Sequence, residues 1–285
     1  MSEVLLMGAV AYDPKVVTIW DGFRAWFRQN DLDFDYILYS NYERQVEALA
    51  SGAIHVAWNS PLAWLRAERL ARAAGVGVSA VAMRDTDCDL ASLVVVRADS
   101  GIESVADLAG RTVAVGAVDS PQATLIPLAH LAAAGLRPGQ DLTLVHHNIG
   151  VGMHGDHIGG ERDAARALMA GAVDAACMID GNHLVFSTEG TLGAGATRIV
   201  AQTPTYDHCN FTAAASAPAP LIDRFTALLL GMTYDDPEVR PLLDLEGLKV
   251  WRPGRTSGYL ALDSAVCEFG FYDDEGDVTA GDYRP

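Results

Sequence analysis

From Val4 to Gly75 the chain alternates short apolar runs with amphipathic helical patterns, and few folds accommodate that alternation. "EVLLMGAVA" reads as a strand and "VVTIWDGFRAWFRQN" as a helix. "FDYILYS" is the next strand, followed by the helix "YERQVEALASG", which Gly52 closes. "IHVAWN" is a third strand, and "SPLAWLRAERLARAAG" a helix with Ser60 as N-cap and Pro61 at its first position. Strand alternating with helix predicts an α/β fold with a parallel, doubly wound sheet.

Beyond this region the rhythm changes. "DLASLVVVRADS" predicts a long strand, "SVADLAG" a short helix and "RTVAVGA" another strand. "SPQATLIPLAHLAAAGL" predicts a helix, "DLTLVHHNI" a strand, "GERDAARALMAG" a helix and "AVDAACMI" a strand. After "FTAAASAP" the pattern is mostly helical, and the acidic end "DDEGDVTAGDYRP" predicts a frayed tail.

Half of the 285 residues are hydrophobic, enough for a sizeable core. The net charge of −17 makes the chain a poor binder of phosphate backbones, which sets nucleic acid aside. No apolar run reaches the ~20 residues of a membrane-spanning helix. Glu3 precedes the apolar run, which reads as a first strand rather than a secretory leader, so the expected location is cytoplasmic. Cys88, Cys177, Cys209 and Cys267 are scattered, without a C-x-x-C, and are expected to be thiols.

"YERQVEALASGAIHVAWNSPLAW" presents an aromatic residue, a helix ending A-x-x-x-G, a strand, and then x-P-x-A-Trp. Together with "LVVVRADSGIESVADLAGRTVAVGAVDS" and "ALMAGAVDAACMID", this stretch resembles the substrate-binding proteins of phosphonate and phosphite ABC transporters, of the type II periplasmic-binding-protein superfamily. The resemblance runs from residue 1 to about residue 210, and "ADLAGRTVAVG" is its most specific part. It implies a two-lobed type II periplasmic-binding-protein-like fold with two crossover segments and a ligand held in a central cleft. On that template residues 1–90 plus 205–285 form lobe one and 91–204 form lobe two.

The same resemblance makes the departures informative. Phosphonate binders carry a Ser-Thr-Ser-Gly-like stretch at a helix start in the second lobe, where hydroxyls and amides hold the phosphonate oxygens. Here the stretch reads Ser120-Pro121-Gln122-Ala123-Thr124. Pro121 offers no amide hydrogen, leaving Ser120, Gln122 and Thr124 as donors. The family's histidine near the phosphonate, at the start of the next helix, aligns with Glu161, with His154 or His157 as the alternative occupant. A carboxylate repels a dianion, so weak or no binding of simple phosphonates and phosphate is expected.

"VGMHGDHIGGERDAARAL" gives the sharpest functional signal. His154 and His157, with His146, His147 and Glu161, admit three readings: zinc or iron ligation, ligand contact without metal, or a structural connector. "TYDHCNFT" places His208 beside Cys209, a pairing found in activated nucleophiles and metal sites. Neighbours in a strand point to opposite faces, however, so the two need not meet. Tyr12 and Asp13 end the first strand, Asn41 and Tyr42 follow the second, and Asn59 and Ser60 follow the third. Asp180 ends a strand of the second lobe, where in amine-bearing phosphonate binders an acidic residue holds the ammonium. Asp87-Cys88-Asp89 reads as loop and hinge.

Two function classes follow. The first is a binding protein that closes on a small polar or anionic ligand. The alternative is a cytoplasmic enzyme on the same scaffold, a lyase, decarboxylase or dehydratase, using His154, His157, Glu161, His208 and Cys209 with or without a metal. A ligand sensor is a third and weaker reading. Cofactor and metal stay open at this stage, as do an ABC permease partner for an exported chain and a homodimer.

Overall fold

Buried, regularly spaced apolar residues explain the order of elements. The first unit opens with β1 (Leu5–Val10), α1 (Lys15–Gln29), β2 (Phe34–Tyr39), α2 (Tyr42–Ala50), β3 (Val56–Asn59), α3 (Pro61–Ala73) and β4 (Ser79–Arg84). The second unit follows with β5 (Ser92–Arg97), β6 (Thr112–Val115), α4 (Ile126–Ala133), β7 (Thr143–His146), α5 (Ile158–Met169), β8 (Ala175–Ile179), α6 (Asp180–Glu189) and β9 (Thr197–Gln202). The chain then returns to the first unit for β10 (Asn210–Ala213), α7 (Ala219–Gly231), α8 (Arg240–Glu246) and β11 (Trp251–Pro253), and α9 (Leu260–Phe269) follows. The structure, a computed structural model, describes residues 4–155 and 158–285. Its first unit comprises the chain up to Cys88, Asp207–Tyr259 and Tyr272–Val278; its second comprises Asp89–Tyr206, Leu260–Phe271 and Thr279–Pro285.

The first unit's sheet runs β11-β4-β10-β3-β1-β2. β1 pairs in parallel with β2 and β3, whereas β10 runs antiparallel to β3 and β4. Its core is aromatic: Phe211 is fully buried, with ring centroids 4.6 Å from Trp58, 5.1 Å from Phe225 and 5.3 Å from Trp251. The second unit's sheet runs β7-β6-β8-β5-β9. Its interior strand β5 is buried on both faces. Val94 and Val96 pack with Leu128 and Leu131 of α4, while Leu93 and Val95 pack with Ala164, Ala165 and Leu168 of α5. Burial on both faces explains why "SLVVVR" lacks alternation.

Three features differ from the sequence reading. Both sheets are mixed rather than parallel, because β10 and β5 enter in reverse. "SAVAMR" and "DGNHLVFSTE" form β4 and α6, neither of which the patterning revealed. The C-terminal segment is also not frayed. Tyr272 and Tyr283 are buried, and Tyr272 bridges to Val278. The expected division assigned all of 205–285 to the first lobe; here α9 packs on α4, and Phe269 joins the core of the second unit. Among the described residues no helix is long and apolar enough to cross a membrane.

Candidate functional site

In the second unit, β6 leads into a tight helix start. Gly116 is required there, because an added Cβ would lie 2.8 Å from the Ala123 Cβ. Ser120 caps the helix by accepting from the Ala123 N–H at 3.2 Å, and Pro121 occupies a position whose N–H would have no helical acceptor. The Thr124 hydroxyl donates to the Ala117 carbonyl at 2.8 Å, and the Gln122 amide donates to the Gly155 carbonyl. Ser92 donates to the Gln122 carbonyl at 2.5 Å and pairs with the Tyr206 hydroxyl at 2.8 Å. Ser120, Gln122 and Thr124 are therefore all buried and engaged within their own unit.

The loop before α5 is fastened to this helix start. Asp119, fully buried, accepts from Gly152 N–H at 2.6 Å and His154 N–H at 3.1 Å. Burial raises the Asp119 carboxyl above its ordinary value, against the opposing pull of His154 and the loop amides. His154 adopts a left-handed φ of 51°, is fully buried, and meets the Tyr283 hydroxyl through Nε2 at 3.2 Å. Gly155, at φ 67°, seats against Ser120, whose Oγ would lie 2.3 Å from an added Cβ. His154 thus anchors the loop, and His157 lies outside the described residues. Tyr283→Phe is expected to cost about 1 kcal/mol and to accelerate hydrogen exchange at the Gly152 and His154 amides. Unchanged exchange would leave Asp119 as the loop's anchor.

Glu161, in the first turn of α5, is buried; its Oε2 accepts from Ile179 N–H at 3.0 Å and from the Asn182 amide at 2.8 Å. Burial, followed by the Glu161 charge, pushes the Cys177 thiol up to about 12. Burial likewise raises the Tyr206 hydroxyl far above its usual range. Asp180 is half-buried at the start of α6 and accepts from Gly181 N–H at 2.7 Å. The loop histidines do not gather with Glu161 as a ligand set among the described residues.

In the first unit, Asn41 and Ser60 act as N-caps, accepting from Arg44 N–H at 2.9 Å and Ala63 N–H at 3.1 Å. Tyr42 is buried in the core. Asn59 belongs to a buried relay: Gln45 donates to it at 2.8 Å, it donates to Thr212 at 2.9 Å, and Thr212 donates to Asn210 at 2.8 Å. Tyr12 is half-buried, and exposed Asp13 accepts from Lys15 N–H at 2.8 Å.

His208 and Cys209 do meet, with His208 Nδ1 3.1 Å from Cys209 Sγ. Strand alternation does not separate them, because β10 begins only at Asn210. His208 Nδ1 also lies 3.6 Å from Asp87 Oδ1. Asp87 is held by Arg84 at 2.5 and 2.9 Å, and Arg84 also reaches the Glu246 carboxylate at 3.3 Å. Alongside, Arg255 pairs with buried Asp207 at 2.6 and 2.7 Å. Sequence reasoning missed Asp119, Tyr283, Arg84 and Glu246, and rated Asp87 as hinge. Each takes its role from a partner remote in sequence or from burial, neither of which a local motif records. His154 and Glu161 lie in the second unit and His208 and Cys209 in the first, so the proposed catalytic set spans separate units.

The chain matches the family model described as the periplasmic substrate-binding protein of phosphonate ABC transporters over residues 9–259. The chain belongs to this family. Its fold is shared by PhnD1 from Prochlorococcus marinus in complex with methylphosphonate, at 16% identity and a TM-score of 0.70, covering 94% of this chain and 98% of that one. XAC2383 from Xanthomonas citri bound to ATP aligns at 17% identity and a TM-score of 0.69, covering 93% and 96%. The periplasmic aliphatic sulphonate binding protein SsuA from Escherichia coli aligns at 18% identity and a TM-score of 0.55, covering 95% and 87%. None of the curated protein sequences compared with the chain matches it. The chain is a two-lobed, small-molecule binding protein of ABC-transporter type. Nothing in the comparisons favours the enzyme alternative. The family's periplasmic description points against the cytoplasmic location expected from the first residues.

Proposed function

We propose that this family member captures a small zwitterionic solute, one with an amine as well as an oxyanion, for an ABC permease. The observation that carries this reading is the helix start at Ser120. Gln122 and Thr124 donate within the unit, Ser120 accepts from the Ala123 N–H, and the buried carboxylate of Glu161 stands, in the register the resemblance favours, at the family's histidine position. Such an environment favours a ligand of low net charge over a dianion. Half-buried Asp180, in the same unit, offers a further contact for a cationic end. The net charge of −17 adds a field that opposes dianions at long range.

Calorimetry with a matched pair tests the assignment. 2-Aminoethylphosphonate is expected to bind at least about tenfold more tightly than ethylphosphonate, a difference of about 1.4 kcal/mol. Methylphosphonate and phosphate are expected to bind weakly or not at all. Equal binding of the pair, or micromolar binding of methylphosphonate, would overturn the zwitterion assignment while leaving the family's solute-binding role intact.

A further inference from the structure

We propose that Asp87, His208 and Cys209 form a binding site for a zinc-class divalent ion in the first unit. One ligand atom from each residue lies within 4.8 Å of the others. Two of the edges are 3.1 Å, from His208 Nδ1 to Cys209 Sγ, and 3.6 Å, from His208 Nδ1 to Asp87 Oδ1. A tetrahedral ion with bonds of about 2.0–2.3 Å needs ligand separations of about 3.3–3.6 Å, so small side-chain adjustments bring the three onto one centre. The donor set of imidazole, thiolate and carboxylate suits zinc better than calcium or magnesium, which prefer oxygen alone.

The surroundings balance the charge. Asp87 and Glu246 are carboxylates that share the Arg84 guanidinium. A dication beside a Cys209 thiolate makes three positive charges against three negative ones, with His208 neutral. Binding releases the Cys209 proton to solvent as the Sγ–metal bond forms. Asp87 Oδ1 accepts one hydrogen bond from Arg84, at 2.9 Å, and the ion would take the lone pair that now faces His208. Three protein ligands leave a fourth position for water, and His208, at 8% exposed, is the least buried of the three. Asp87 and His208 each lie within two residues of a point where the chain passes between the units, at Cys88/Asp89 and Tyr206/Asp207. His208 N–H already donates to the Asp87 carbonyl at 2.8 Å, so an ion bound there would cross-link both connecting segments.

The test uses the full chain, stripped with chelator, in a Cys88→Ser/Cys267→Ser background that removes the less buried thiols. Cobalt titration is expected to give a near-ultraviolet thiolate-to-cobalt band that saturates at one equivalent and that zinc displaces. Cys209→Ser should abolish the band, and His208→Ala should weaken binding by at least about tenfold. X-ray absorption of the zinc-loaded background protein needs no ligand variant, and should find one sulfur at about 2.3 Å with nitrogen and oxygen at about 2.0–2.2 Å. A missing band, a band that survives Cys209→Ser, affinity unchanged by His208→Ala, or a sulfur-free shell would each overturn the site.

Discussion

Replacing Arg66 by alanine is expected to destabilise the first unit by about 3–5 kcal/mol. The Arg66 guanidinium lies 2.6 Å from the Glu43 carboxylate, and the two side chains are only 7% and 6% exposed. Arg66 Nε also donates to the Gly276 carbonyl at 3.0 Å, and Tyr272 donates to Glu43 at 2.7 Å. Deleting the arginine side chain removes the guanidinium 2.6 Å from a buried carboxylate and leaves a hairpin carbonyl without that donor. A surface ion pair would contribute about 0–1 kcal/mol, so the size of the loss distinguishes the two cases. Urea unfolding at pH 7 measures the change, and proteolysis should begin within residues 273–277, which the arginine holds down. A midpoint within about 0.5 kcal/mol of the unsubstituted protein would show that Arg69 and Tyr272 anchor the hairpin without Arg66.

The same contacts explain which parts of the fold the sequence leaves unreadable. The run from β1 to α3 is legible because each element carries its own periodicity and cap: Asn41 and Ser60 lie where a helix must start, and both cap one. α6 is not legible, because Phe186 is its one fully buried residue and no apolar stripe forms. β4 fails for a related reason. "SAVAMR" is short and rich in small residues, and it becomes a strand through β10 and β11, which lie far along the chain. The tail looks disordered because eight of the last thirteen residues are Asp, Glu, Gly or Pro, yet Arg66, Arg69 and Tyr283 pin it by contacts across long sequence separations.

The site divides in the same way. Strand-end reasoning found Ser60, and the family resemblance Ser120 and Thr124, but their polar atoms turn inward to caps and carbonyls. His154 stood out as chemistry and serves as an anchor, because Asp119 and Tyr283, which flank it, carry no motif. The His208–Cys209 pair was visible as two letters, but its third member, Asp87, lies over a hundred residues away, brought close by pairing of the two connecting segments.

Arg84→Ala is expected to lower stability at pH 7 by about 3–5 kcal/mol and, unlike Arg66→Ala, to reverse the sign of its pH dependence around Asp87. Burial alone would raise the Asp87 carboxyl; the Arg84 guanidinium and the His208 hydrogen bond overcome it and hold the group at about 2. A depressed carboxylate contributes stability that is fully present above its unfolded value, near 3.9, and is lost as pH falls toward 2. That contribution is about 2–3 kcal/mol for a shift of this size. Without Arg84 the burial cost prevails, so the folded-state pKa of Asp87 moves above the ordinary carboxylate range. The ionised form then opposes folding at neutral pH, and protonation relieves it. The variant should therefore gain stability between pH 7 and pH 5, where the Asp87–Arg84 pair of the unsubstituted protein gives no gain. Loss of the guanidinium stacked 5.2 Å over the Trp58 ring removes a further contact. Urea midpoints of both proteins at pH 7 and pH 5 supply the comparison. The difference between them should shrink on acidification, and a difference that is constant or grows would mean that Glu246 and Asp87 reach water or another cation once Arg84 is gone.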